Sequence, residues 1–511
     1  MDWTSGYPSD IEYTVGFYRE QSPAFLNFVC LLNGYEPVAL HKPFTYFELG
    51  FGRGLTANIL AAANPHGQFY AADFNPAHVA GARHLADSAG LSNLTLLENS
   101  FEDVAQGKTD LPQFDFITLH GIYSWITEEN RQHIVDFIAR YLKPGGVAYI
   151  SYNAQPGWSA VGPLQRLLYE HSAMQPGRSD DRLAAAAAYT QQMEAAGARY
   201  FEANPTLRSR LDMLKSGRSN YLVHEYLHKH WQPLFHVDVA RELAAAKLDY
   251  IGSAELPMTY PALYLTPPQQ ELAAQIPDAS MRETVKDYFL NTQFRRDVFV
   301  RGARRVNPAR ARDLLSQTGL ALIVPRAEVK LSLRLGSAQI EGTPELYDPV
   351  LDALQQGPHT LAQLAALPAL AGQSMQTLAQ IAALLTASSQ AMVYIDTPGV
   401  ALEPAQKMNA ALAAQVQYGD EFQSLASPLL GNGLSEGMMA RLCYLLLTQD
   451  GKADARALAK RAYQIMQRQG RVLNKDGKPL ASEADNVAEL RGHMERVLET
   501  RLPLWRQLKM I

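Results

Sequence analysis

The sequence predicts an α/β protein: one mostly parallel sheet with a helical insertion, then a winged-helix-like unit and a helical C-terminal region. Three observations predict it. Between residues 44 and 152, short apolar and β-branched runs alternate with helix-length segments, the pattern of strands joined by right-handed crossovers. From about residue 160 to 232 only helical periodicity remains, with the alanine run Ala184 to Ala188. Beyond Arg326 the composition shifts, and residues 341–400 hold five acids (Glu341, Glu345, Asp348, Asp352, Asp396) but no lysine or arginine.

The elements follow in order. Ala24 to Leu32 reads as a helix behind an aromatic-rich start (Tyr7, Tyr13, Phe17, Tyr18). Thr45 to Leu49 is a strand, Leu55 to Ala63 a helix, Gln68 to Asp73 a strand, and Pro76 to Ala89 a helix opened by proline. Leu94 to Glu98 and Phe114 to His120 are strands, Asn130 to Tyr141 a helix, Lys143 to Gly146 a turn and Val147 to Tyr152 a fifth strand. After the insertion, Val237 to Ala246 is helical, and Asp249 to Ala254 and Asp297 to Arg301 are two more strands resuming the sheet. Residues 341–400 read helix, helix, helix, strand, and Gly437 to Leu447 and Ala481 to Leu498 are helical. The organisation is therefore an N-terminal cap (1–40), a core of alternating strands and helices (41–159), a helical insertion (160–232), a segment completing the sheet (233–305), the winged-helix-like unit (330–404) and the C-terminal region (405–511).

Composition excludes several functions. Forty-six basic and fifty-one acidic residues give a net charge of -5, too mild for nucleic acid as the main partner. Seven arginines fall between Phe294 and Arg312, and they read as exposed or ion-paired side chains. Cys30 and Cys443 are too few and too distant for a disulfide framework or a metal pair. No apolar run is long enough to span a membrane, and the start lacks a secretory pattern, so a cytoplasmic protein is expected.

The chemistry concentrates in Glu48-Leu-Gly-Phe-Gly-Arg-Gly54, between a strand and a helix. Side chains at Gly50 and Gly52 would block a ligand lying across the strand tip. Asp73 ends the second strand 19 residues after Gly54, where a carboxylate can accept both hydroxyls of a ribose. The acid before the first glycine suits an ammonium and disfavours a pyrophosphate. His224-Glu-Tyr-Leu-His228 fits the zinc-protease pattern, but no third ligand follows, so no metal site is assigned and His228 reads as incidental.

These motifs are similar to those of the class I S-adenosylmethionine-dependent methyltransferases. Asn99-Ser-Phe101, Asp115, His120-Gly121 and Lys143-Pro-Gly-Gly146 match in chain order. Asp73 to Arg83, Gly121 to Trp125, Ser151 to Trp158 and Tyr221 to Tyr226 resemble a bacterial subgroup carrying a methyltransferase regulatory domain. That subgroup includes rickettsial-type lysine methyltransferases of outer-membrane proteins. The resemblance implies a Rossmann-like seven-stranded sheet, S-adenosyl-L-methionine as cofactor and a homodimer. It places Tyr18, Glu48, Gly50, Gly52, Gly54, Asp73, Phe74, Ser100, Phe101 and His120 at the cofactor. It places Tyr123, Trp125, Asn153, His224 and Glu225 on the acceptor side, although core packing accounts equally well for the aromatics.

Methyl transfer from a sulfonium is an in-line displacement, in which positioning supplies much of the rate. A protein lysine is the expected acceptor, because the residues beyond 305 offer a docking surface that a small acceptor would not need. Two alternatives are a small-molecule, glycan or natural-product acceptor under a lid, and a non-catalytic sensor or scaffold that binds the cofactor.

Overall fold

A computed structural model describes residues 10–11, 14–215, 220–335, 338–451, 454–475 and 477–511. Tyr7 and Tyr13 lie outside them. The chain opens with α1 (Pro23–Leu32), capped by the Ser22 hydroxyl and started by proline. The core then alternates: β1 (Thr45–Leu49), α2 (Leu55–Ala63), β2 (Gln68–Asp73), α3 (Pro76–Ser88), β3 (Leu94–Glu98), α4 (Phe101–Gln106), β4 (Phe114–Leu119), α5 (Glu128–Tyr141) and β5 (Leu142–Asn153), as the sequence predicts except for the short helix α4, which it does not. Local chemistry fixes the helix starts. Asn75 caps α3 before Pro76, and Ser100 and Asp103 form a capping box on α4.

The fifth strand departs from expectation at its start. The strand run begins at Leu142, opposite Phe114, and the next pairing is Phe116 with Val147. Four residues, 143–146, thus stand against one on β4. The expected turn is a bulge within the strand, with Gly145 at φ +80°.

The insertion is helical: α6 (Gly162–Ala173), α7 (Ser179–Ala195), α8 (Arg199–Ala203), α9 (Arg208–Lys215) and α10 (Asn220–Tyr226). It packs on its own apolar cluster around Leu164, Leu168, Leu211 and Tyr226. Then α11 (His236–Ala244), β6 (Leu248–Ser253), α12 (Pro267–Ala274), α13 (Ala279–Leu290) and β7 (Phe294–Arg301) return to the sheet. The seven strands lie in the order β3-β2-β1-β4-β5-β7-β6, and β7 is antiparallel to both its neighbours. Beneath β7, Arg295 pairs with Asp287 and Asp297, while Tyr152 donates to Asp297 and His236 contacts it at 2.8 Å. The arginine-rich strip is neutralised in part, since Arg296 also pairs with Glu255 and Arg310 with Glu36, while Arg301 and Arg305 donate to the Leu142 and Asn33 carbonyls.

Downstream come α14 (Pro308–Gln317), β8 (Thr318–Leu322), the hairpin β9 (Ser332–Leu335) and β10 (Ala338–Glu341), α15 (Pro344–Gln356), β11 (His359–Thr360), α16 (Leu361–Ala365), α17 (Met375–Ala387) and β12 (Ala391–Ile395). The small sheet here is β11-β8-β12, so its central strand comes from before residue 330, where the sequence reading starts the unit. The last region holds α18 (Glu403–Ala414), the hairpin β13 (Ser424–Ser427) and β14 (Asn432–Ser435), α19 (Met438–Asp450), α20 (Ala455–Arg468) and α21 (Glu483–Gln507). One hydrophobic cluster runs from Phe25 of α1 through Leu60 of α2 to Leu412, Leu425, Leu446 and Trp505. Each such buried side chain contributes about 1.5–3 kcal/mol, so the C-terminal region is welded to the core by packing. Among the described residues no helix is long and apolar enough to cross a membrane.

Candidate active site

The tips of β1, β2, β3 and β4 end at a cavity of about 690 Å³, within the usual range for a ligand site. The cap segment around Tyr18 and helix α10 supply further walls. Twelve of the fifteen sequence-predicted residues line it: Tyr18, Glu48, Gly50, Gly52, Asp73, Phe74, Ser100, Phe101, His120, Trp125, His224 and Glu225.

The glycine turn works through backbone. Gly52 has φ +57°, and its N–H donates to Asp73 Oδ2 at 2.8 Å. Asp73 Oδ1 accepts from the Asn75 N–H at 2.9 Å and lies 3.2 Å from His78 Nδ1. The carboxylate is thus fixed in direction while still bordering the cavity, which is what a two-pronged diol acceptor requires.

Glu48 is 3 % exposed. One oxygen accepts from the Gln21 amide at 3.3 Å, and the other has no hydrogen-bond partner among the described residues. Burial, with the charge of Asp73 adding to it, pushes the Glu48 pKa up to about 8. A buried acid with an open acceptor and a raised pKa fits a cationic donor, such as the α-ammonium of an amino-acid moiety. At the end of β4 the Tyr18 and His120 rings stack, and burial, with Arg296 nearby, lowers the His120 pKa to about 3.

The wall made by α10 is chemically different. Glu225 is 7 % exposed, hydrogen-bonds Tyr221 and lies 3.7 Å from Arg210. Burial raises its pKa to about 7, against the opposing pull of Arg210 and Tyr221. His224 Nε2 lies 3.1 Å from the Ile11 carbonyl, tying α10 to the N-terminal segment. Trp125 packs its ring 5.6 Å from His228.

Three predicted residues are placed elsewhere. Gly54 caps α2, and a Cβ there would fall 2.5 Å from Ala82 Cβ, so its small size serves helix packing rather than the ligand. Tyr123 is fully buried and donates to Glu242 at 2.6 Å, behind the cavity wall. Asn153 is 5 % exposed, with its N–H donating to Ser124 and its carbonyl accepting from Leu234. Its backbone holds the end of β5, its side-chain Nδ2 is buried with no hydrogen-bond partner among the described residues, and it is not part of the cavity lining.

Sequence reasoning also missed participants. His228 lines the cavity and is not incidental; burial, with His230 and His224 beside it, lowers its pKa to about 3. Arg53, His78 and Tyr221 line it too. For His78 a signal was present, since a side chain one turn into a proline-opened helix returns toward the strand end. For Tyr221, helical spacing with Glu225 was the available clue; His228 lies just past the end of α10, where that spacing does not apply.

A sheet of this order, with its antiparallel strand slipped between the fifth and sixth, belongs to one class when its glycine turn faces a pair of acids. That class is the class I S-adenosylmethionine-dependent methyltransferases. Comparison with known proteins gives the particular family. Residues 47–146 match the model described as "Methyltransferase domain", and residues 218–301 match "Predicted methyltransferase regulatory domain". The chain is 39% identical over 522 aligned residues to the uncharacterized protein sll1526 of Synechocystis sp., covering 99% of each. It is 25% identical to the uncharacterized protein RP789 of Rickettsia prowazekii, covering 51% of this chain and 46% of that one. Its structure is similar to PKMT2 from Rickettsia typhi in complex with AdoHcy, with a TM-score of 0.70 and 18% identity, covering 98% of this chain and 99% of that one. The protein belongs to the S-adenosylmethionine-dependent methyltransferases that carry a methyltransferase regulatory domain, and S-adenosylmethionine is its cofactor.

Proposed function

We propose that this methyltransferase N-methylates lysine side chains of a protein substrate. The observation that carries the reading is Glu225, a buried carboxylate on the cavity wall contributed by the insertion, with a pKa raised to about 7. A lysine enters as an ammonium with an ordinary pKa of about 10.4 and cannot attack until it loses a proton. A carboxyl group poised near neutrality is matched to accept that proton. Arg210 and Tyr221 orient it, and Trp125 offers an aromatic face to a cationic side chain.

On the cofactor side, Asp73 binds the ribose hydroxyls and Glu48 the α-ammonium. Ser100 and Phe101 border the adenine, while Tyr18 and His120 close over the ligand. Bound S-adenosylmethionine supplies an electrophilic methyl group on a sulfonium. The likeness to PKMT2 along nearly the whole chain, and the motif resemblance to rickettsial-type lysine methyltransferases, support a protein acceptor.

Incubation with methyl-labelled cofactor, together with protein fractions or a small-molecule extract, tests the reading. Label is expected in acid-stable methyl-lysine of a protein. Label confined to small molecules would overturn the lysine assignment and leave the methyltransferase class intact.

A further inference from the structure

The C-terminal region reaches the cofactor cavity. Arg53 stands inside the glycine turn and lines the cavity. Its guanidinium pairs with Glu421 at 3.1 Å and lies 5.9 Å from the centre of the Phe422 ring. Those partners are themselves held from behind. The fully buried Arg441 of α19 donates to the Phe422 carbonyl at 2.7 Å and the Glu436 carbonyl at 2.9 Å, and pairs with Asp420. A second grip falls on the cap. Asn432 Nδ2 donates to the carbonyl of Arg19, the residue after Tyr18, at 3.1 Å and lies 3.0 Å from Ser22 Oγ. Asn64, at the end of α2, donates to the Gly431 carbonyl at 3.0 Å.

The geometry points to a cofactor-positioning role for Glu421 and Phe422: they set the placement of Arg53 on the cavity wall, so that S-adenosylmethionine affinity depends on the C-terminal region. Neither residue lines the cavity, and they act through Arg53. The arrangement suits this task because a long, flexible guanidinium side chain at a binding site loses less entropy on binding when it is already oriented. The inference rests on the cofactor occupying this cavity and is independent of the methyl acceptor.

Calorimetric titration of the full-length protein with S-adenosylhomocysteine tests it. Glu421→Gln and Phe422→Ala are each expected to raise Kd by about fivefold, the scale of an exposed ion pair or a cation–π contact. Glu421→Asp and Phe422→Trp should restore affinity, a rescue that general loosening of the fold would not give. In an Arg53→Ala background, Glu421→Gln should have no further effect. Wild-type affinity in the two single variants overturns the proposal, as does an equal, additive loss in the Arg53→Ala background. Absence of binding by the wild-type protein would instead overturn the cofactor site itself. Glu421 is well exposed, so its replacement tests the idea without threatening the fold.

Discussion

The phenol of Tyr18 lies flat on the imidazole of His120, with ring centroids 3.6 Å apart and planes 19° from parallel. The pair joins the cap to the tip of β4, and both rings border the cofactor cavity. His120 Nδ1 is 2.8 Å from the Tyr149 hydroxyl, and the imidazole stays neutral at physiological pH. An aromatic pair of this kind is worth about 0.5–1.5 kcal/mol. Tyr18→Ala is therefore expected to weaken S-adenosylhomocysteine binding by about two- to tenfold, and Tyr18→Phe to preserve it, as measured by calorimetry.

Glu48 should make cofactor binding a proton-releasing event. With a pKa of about 8 it is mostly protonated at pH 7, and pairing with an ammonium ionises it. Titrations in buffers of different ionisation enthalpy should show close to one proton released at pH 7. The raised pKa also costs the ligand-free protein stability, because the unfolded chain ionises Glu48 first. That stability is present below the ordinary glutamate pKa and is lost as pH rises toward 8. Glu48→Gln should thus raise the ligand-free melting temperature at pH 8 while weakening cofactor binding. A lower melting temperature at that pH would contradict this account.

Acid should destabilise the fold through two histidines. His120 and His228 resist protonation down to about pH 3, whereas the same groups in the unfolded chain protonate near pH 6.5. Stability is full above the unfolded value and declines as pH falls from there toward the folded one. Melting temperatures recorded from pH 7 to 4 should fall, and His228→Gln should flatten the decline. A slope that His228→Gln leaves unaltered would count against the buried neutral state.

The two ends of the cavity should separate in kinetics. Asp73→Asn removes hydrogen bonds to a charged group, worth about 1.5–3 kcal/mol, and should raise cofactor Kd by roughly 10- to 100-fold. Glu225→Gln should instead slow methyl transfer at saturating cofactor by about 10²–10⁴-fold, the usual range for losing a general base. Rates from labelled-methyl incorporation and affinities from calorimetry distinguish the two. A Glu225→Gln enzyme as fast as wild type would remove the proton-acceptor role.

Tyr123 gives a contrasting case. Its hydroxyl donates to Glu242 inside the fold, so Tyr123→Phe should cost about 1–2 kcal/mol of stability without altering cofactor affinity. Denaturant unfolding measures the first, and titration the second.

The strands along the chain and the cofactor half of the site were legible because they depend on local signals, whereas the insertion of β7 between β5 and β6 was not. A glycine turn after a strand, an acid at the next strand tip and a capped serine before Phe101 each declare their position within a few residues. Tyr123 and Asn153 were not legible. Tyr123 is turned inward by Arg131 of α5 and Glu242 of α11, and Asn153 is tied to Ser124 and Leu234, partners that no local pattern announces. Arg53 was visible in the motif, yet its partner lies 368 residues away, beyond the reach of periodicity or spacing. The central strand β8 fell outside the winged-helix-like unit for a related reason. It pairs with β11 and β12 across intervening helices, and pairing partners at that distance leave no local trace.

The placement of β7 has a consequence for biosynthesis. Because this strand inserts between β5 and β6, the hydrogen-bonding rim of β5 stays bare until residue 301 has emerged from the ribosome, more than 140 residues after β5 itself. A nascent chain in that state displays a ready template for intermolecular pairing. Truncations ending before Phe294 should consequently accumulate as aggregates, whatever their glycine turn could still bind.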